Sequence, residues 1–290
     1  MRLIKSRPWR QYLNFFLPGA GQRTELHVFE QFRSKQLRRP VKISVILPPA
    51  YYESETSYPA LYLNDGQDLE ALNFQPTLER LYRRGKVADF ITIAIHAGDR
   101  LQEYGTIGQP DYKKRGRKAK AYSLFLLREL LPALERRYRL CPFPSGRAVA
   151  GCSLGGLSAF DLAWHHPDIF GQVGVFSGSF WWRSQPFREA APDADRIVQT
   201  YVETGHRKPN LRFWLQTGTK DETADRNKNG VIDAIDDTTD LIRALKKLGY
   251  REGTDIHYIE VSGGRHHPKT WGRVMPDFLQ WAFPKRATNQ

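Results

Sequence analysis

The stretch Val149-Ala-Gly-Cys-Ser153-Leu-Gly-Gly-Leu-Ser158 sets glycines two residues before and two residues after a serine, the pattern G-x-S-x-G at 151–155. It lies between a β-rich run, "GRAVAGCS" (146–153), and a helical pattern, "GGLSAFDLAWHH" (155–166), which stops at Pro167. A serine at such a junction is forced into a strained turn that lifts its hydroxyl above the sheet edge. Side chains two positions away would clash there, so Gly151 and Gly155 make room. The same turn points the backbone N–H of Leu154, at the helix start, toward charge developing beside Ser153. A glycine-rich bend with no chemistry is the competing reading, and only the rest of the chain can decide between them.

Working outward, six further β-rich runs are visible: 41–49, 58–65, 89–98, 171–178, 211–219 and 255–264. Most are apolar almost throughout, as strands covered on both faces are. Helical patterns lie between them at 121–138, 238–250 (ending on Gly249) and 268–283. This alternation predicts a mainly parallel, doubly wound α/β sheet with helices on both faces, in a single domain over 23–290. Residues 1–22 read as an N-terminal arm or edge element.

A serine hydroxyl is too weakly acidic to attack unaided and needs a base and an orienting acid. Both follow predicted strands, in the chain order Ser, acid, His. "LQTGTKDE" presents Asp221, with Glu222 as a rival, and "VSGGRHHPKTW" presents His266 and His267. "NDGQD" (64–68) follows an early strand, where the backbone N–H of Gly66 or Gln67 is a candidate second oxyanion donor and a plain Asn-Asp-Gly turn is the alternative. Trp181 and Trp182, after "FSGS", are candidate walls of a substrate cleft. Arg100, Glu103 and Tyr104 sit in a loop after a strand as further candidate contacts.

Together, "LYLNDGQDL", "ELLPALERRYRL", "GCSLGGLSAFDLAWHHPDIFG", "FSGSFWW", "TGTKDE" and "GGRHHPKTWGRVMPDFLQWAF" resemble the esterase D and enterochelin esterase-like branch of the α/β hydrolases, from about residue 23 to 284. The resemblance implies an α/β-hydrolase fold and a serine esterase with Ser153 as nucleophile and Asp221 as acid. The base in such proteins stands five residues before a tryptophan, and Trp271 selects His266. The chemistry needs no cofactor, and the implied substrate is a carboxylic ester of a small or carbohydrate-linked molecule. A thioesterase or acyltransferase would use the same residues, and a non-catalytic binding scaffold is the remaining alternative.

A second motif follows the acid. Asp225, Asn227, Asn229, Gly230, Val231 (through its carbonyl), Asp233 and Asp236 fit D-x-[DN]-x-[DN]-G with an acidic residue at loop position 12. The spacing predicts a Ca2+-binding loop, with a self-capping Asn/Asp/Gly loop as the alternative. Asp236 replaces the usual glutamate, and its shorter side chain makes bidentate capture harder.

Composition narrows the remaining classes. With 44 basic and 31 acidic residues the net charge is +13. Part of it sits in 113–120, where a nucleic-acid or anionic-substrate patch competes with a solvated loop leading into a helix; with no nucleic-acid-binding motif beside it, the run reads as the loop. No run is long and apolar enough to span a bilayer. Two cysteines that fit no metal spacing, and no signal-peptide core, point to the cytoplasm. Oligomeric state is not legible.

Overall fold

The structure, a computed structural model, describes residues 23–285, so the arm read over 1–22 lies outside the described residues. Eight strands form one sheet: β1 (Glu25–Ser34), β2 (Arg39–Leu47), β3 (Ala60–Asn64), β4 (Ile91–Ile95), β5 (Arg147–Cys152), β6 (Gln172–Phe176), β7 (Arg212–Lys220) and β8 (Ile256–Arg265). Their order is β1-β2-β4-β3-β5-β6-β7-β8. β2 runs antiparallel to both neighbours, and every pairing from β4 to β8 is parallel. This is the mainly parallel sheet expected. All seven β-rich runs form strands. The eighth strand, β1, was not expected: it is an edge strand, only partly buried, and a register shift between Phe29 and Phe32 breaks its alternation.

The connecting helices are α1 (Phe74–Arg83), α2 (Arg100–Glu103), α3 (Ala119–Phe125), α4 (Leu131–Glu135), α5 (Leu154–His165), α6 (Ile197–Glu203), α7 (Asp233–Lys247) and α8 (Pro268–Ala282). The helix expected over 121–138 is α3 and α4 joined by a π turn, Leu126–Leu130. Pro132 is the physical reason. It has no N–H for the carbonyl four residues back and its ring crowds that carbonyl, so the turn before it widens. Helix α7 begins five residues earlier than its apolar pattern shows, because its first turn is acidic (Asp233, Asp236) and suits the positive end of the helix dipole.

Strand alternation sends side chains to two cores. Leu61, Leu63, Ala148, Ala150, Phe176 and Trp214 pack with Phe74 and Leu78 of α1 and with Met275 and Phe278 of α8. Ala60, Tyr62, Val149, Val173 and Val175 pack with Leu126, with Leu157 and Phe160 of α5, and with Leu241 of α7. Central strands covered on both faces must be apolar throughout, and β3, β4, β5 and β6 are buried at every position. Cutting one large side chain of these layers to alanine costs about 3–5 kcal/mol. Parallel strands all end on the same edge of the sheet, and there Ser153, Asp221 and His266 follow β5, β7 and β8.

Candidate active site

At the end of β5, Ser153 takes φ 55° and ψ −122°, a conformation that side chains with a Cβ rarely adopt. Its own N–H is used by the Phe176 carbonyl at 2.8 Å. The flanking glycines answer to space. A Cβ on Gly151 would lie 2.4 Å from the Gly155 carbonyl, and one on Gly155 would lie 2.6 Å from Asp65 Oδ2. Ser153 Oγ is 3.3 Å from Ser179 Oγ. No hydrogen bond joins Ser153 to His266 among the described residues; such contacts often tighten only with substrate bound.

Two other strand ends carry Asp221 and His266, the candidate acid and base. Just after β7, Asp221 turns back on its own strand, with Oδ2 accepting from Gly218 N–H at 2.9 Å. Its other oxygen, Oδ1, is buried with no partner. Glu222 points elsewhere, accepting a backbone hydrogen bond from Ala234 at the start of α7. After β8, His266 packs edge to face on Trp271 with ring centroids 5.1 Å apart. Trp271 is in turn fixed by Nε1–H donating to Ser177 Oγ at 2.9 Å. His267 instead caps α8, its Nδ1 accepting from Lys269 N–H at 3.1 Å. The His266 pKa is lowered by the partial burial of its ring; the Asp221 charge pulls it up and the Arg100 charge pulls it down. The lowered value favours the neutral imidazole over the imidazolium.

After β3, Asp65 has φ 60° and ψ 51° and leads into a short turn, Gly66–Asp68. The N–H groups of Gly66, Gln67 and Leu154 have no hydrogen-bond partner among the described residues. Gly66 lies against β4: a Cβ there would meet His96 Cδ2 at 2.7 Å. Gln67 Nε2 donates to Asp65 Oδ1 at 2.8 Å, and its Oε1 accepts from Ala97 N–H at 3.2 Å. These contacts tie the turn to the segment just after β4.

The two tryptophans separate. Trp181 is 37% exposed and lines an open cavity of about 750 Å³ with Tyr112, Arg183 and Phe187. Trp182 is fully buried, which corrects its reading as a cleft wall. Its indole fills the space against the close-packed backbones of Gly105 and Gly116, where an added Cβ would touch it at 3.1 and 3.0 Å. Glu103 and Tyr104 are likewise buried, Glu103 in an ion pair with Arg39 at 2.6 Å, so of the three loop candidates only Arg100 reaches the surface.

Of the segment 225–236, residues 225–232 fold as a tight series of turns and 233–236 form the first turn of α7. Asp225 accepts from Asn229 N–H (3.1 Å) and Gly230 N–H (2.9 Å), while the Asn227 and Asn229 amides converge on Asp236 Oδ2 at 3.0 and 2.7 Å. Arg226 draws Asp233 aside at 3.2 Å and also pairs with Asp237 at 2.8 Å. Among the described residues no three His, Cys, Asp or Glu side chains come together as metal ligands. A cation here would depend on carboxamide and carbonyl oxygens as well. That donor set is all hard oxygen, which suits Ca2+. Residues 111–118 form a loop with Arg115 paired to Asp111, and α3 follows at Ala119, as read from the basic run.

The protein family described as "Putative esterase" matches residues 34–282. The chain belongs to this esterase family. Family membership makes it a carboxylic ester hydrolase, and its architecture is the α/β-hydrolase fold. The esterase is similar to YbbA of Bacillus subtilis, an uncharacterized protein, with 23% identity over 248 residues that cover 84% of this chain and 93% of the relative. In structure it is similar to a ferulic acid esterase (TM-score 0.69, 19% identity, 91% of this chain and 99% of the other). It is also similar to the enterobactin esterase of Shigella flexneri (TM-score 0.67, 21% identity, 90% of this chain and 59% of the other). At these identities the structural likenesses show the fold alone.

What sequence reasoning missed is the set of groups holding these parts: Ser179 beside Ser153, Ser177 under Trp271, and Asp65 with Arg100. Each contact joins residues 26 or more positions apart, and no local spacing marks such a pair.

Proposed function

We propose that the esterase works by two-step acyl transfer on Ser153. Ser153 Oγ attacks the ester carbonyl while His266 takes its proton, and Asp221 Oδ1 holds the other ring nitrogen and stabilises the imidazolium. His266 then protonates the departing alcohol. Water repeats the attack on the acyl-serine through the same base, releasing the acid and restoring Ser153. The N–H groups of Leu154 and of Gly66 or Gln67 stabilise the oxyanion. The observation that carries this reading is the strained Ser153 backbone at the strand–helix turn. The unpartnered Asp221 Oδ1 supports it, because a buried carboxylate oxygen without a donor is costly unless a partner is meant to reach it.

The substrate we assign is a carboxylic ester of a small or carbohydrate-linked molecule. Trp181, two residues after Ser179, supports this with Tyr112 and Phe187 by offering aromatic surface in the cavity they line. Ser153→Ala should abolish hydrolysis of p-nitrophenyl acetate and labelling by a fluorophosphonate. Wild-type turnover in that variant would show that another group attacks, and an unlabelled native protein would leave only a binding scaffold.

Two finer assignments accompany it. The all-oxygen donors of 225–236 support a structural Ca2+, which would stiffen the segment following Asp221. EDTA should then lower Tm by several degrees and CaCl2 restore it, whereas calorimetry showing no heat at millimolar Ca2+ would eliminate the ion. The unpaired state of Cys141 and Cys152 supports a cytoplasmic location.

A further inference from the structure

Strands β3 and β5 pair in parallel from Ala60 and Arg147 up to Leu63 and Ala150, and there the ladder stops. Had it continued, the same register would set Asp65 opposite Cys152. The strands instead part and open the crevice at their carboxyl ends. One side chain spans the opening. Arg100, from α2, donates through Nε to Asp65 Oδ1 at 2.9 Å and through Nη2 to Asp65 Oδ2 at 3.0 Å. The same Nη2 donates to the Cys152 carbonyl at 3.0 Å.

Those two anchor points are the residues just before Gly66 and just before Ser153. Asp65 and Ser153 both hold positive φ, 60° and 55°, which persists only where the surroundings over-determine it. Around Asp65 the constraints are visible. Its N–H donates to Tyr104 Oη at 3.0 Å, and its side chain is 3% exposed. Its carboxylate also sits in the room left by Gly155, at the start of the nucleophile's helix. Beside it, Asn64 Nδ2 donates to the Gly155 carbonyl at 2.8 Å. Arg100 closes this wedge from the solvent side.

We propose that Arg100 is a positioning residue that sets the distance between the oxyanion donors of the Gly66–Gln67 turn and Ser153 Oγ. The proposal rests on the reading of Ser153 as nucleophile. A guanidinium suits the task because its planar fork takes both carboxylate oxygens and still has an N–H for the carbonyl. Lysine, a single point charge, can neutralise Asp65 but cannot hold three acceptors in one plane. Oxyanion donors act through placement prepared in advance, so loosening the wedge removes an interaction made only in the transition state. Such a loss appears in kcat rather than KM.

The test compares Arg100→Lys, Arg100→Gln, Asp65→Asn and the double variant Arg100→Gln/Asp65→Asn with the native chain. Two quantities are read: kcat and KM for p-nitrophenyl acetate, and affinity for a trifluoromethyl ketone, which forms a tetrahedral adduct on an active serine. The expected result is a fall in kcat of about 100-fold for both Arg100 variants with KM within about threefold. Ketone affinity should fall in parallel, and the double variant should be no worse than the worse single one. The proposal is overturned if kcat in both Arg100 variants stays within about threefold of native, or if the loss falls on KM alone, which would make Arg100 a substrate contact. Should Arg100→Gln fail to fold, Arg100→Lys, which keeps the charge beside Asp65, decides by the same criteria. A native chain that is inactive and unlabelled by fluorophosphonate would instead mark failure of the Ser153 reading.

Discussion

His266 and His267 stand side by side in the chain, and their neighbours alone assign them different work. One packs on Trp271 behind the candidate acid, and the other caps a helix. Burial lowers the His266 pKa below the ordinary 6.5 despite the opposing charge of Asp221. A base must be neutral, so activity should be lost as pH falls through this lowered value and be complete above it. The acid limb of kcat/KM for p-nitrophenyl acetate, measured from about pH 4 to 9, should therefore have its midpoint below about 6.5. Asp221→Asn, which removes the charge favouring the imidazolium, should move the midpoint lower still while cutting the rate. A native midpoint well above 6.5 would mean that another group titrates. The family resemblance, through Trp271, already selects His266 in the sequence. By contrast, nothing in "WW" tells which tryptophan is buried.

Helix α5 does more than follow Ser153. On its inner side Asp161 is buried and accepts from Ile107 N–H at 2.8 Å, tying the helix to the loop after α2. Burial raises its pKa from 3.8 to about 6, with His165 partly opposing the shift. The folded state therefore binds this proton more tightly than the unfolded chain does. Its stability contribution is present below about pH 4 and is lost as pH rises through about 6. Asp161→Asn, which keeps an acceptor for Ile107, should accordingly raise stability at pH 7.5 by about 1–3 kcal/mol, or several degrees in Tm. At pH 3.5 the difference should vanish; an unchanged Tm at pH 7.5 would contradict the assignment. The "AFDLAWHH" pattern shows a helix, but only packing reveals that the aspartate faces inward.

Across the whole molecule, an excess of 13 positive charges makes the protein strongly basic. Much of the basic run 113–120 is solvated, and exposed charges act through water and are screened within about 10 Å at 0.1 M salt. Such a field steers anionic molecules without choosing among them. For esters carrying a carboxylate, kcat/KM should fall several-fold between about 20 and 500 mM NaCl, while a neutral ester shows little change. Equal salt responses for the two substrates would mean that the charge does not reach the site.

Local pattern alone yields the strand–helix alternation, the turn at Ser153, and an acid and a histidine in order after later strands. These are local: periodicity, glycine spacing and chain order survive without knowledge of neighbours. Three things depended on tertiary structure. The edge strand β1 is defined by a partner as much as by its own pattern, and Trp182 is buried because two distant glycines let the backbone close over it. The link from Arg100 to Asp65 and Cys152 joins residues 35 and 52 positions apart. No local pattern encodes that link, because it exists only where two parallel strands part and a third loop fills the gap.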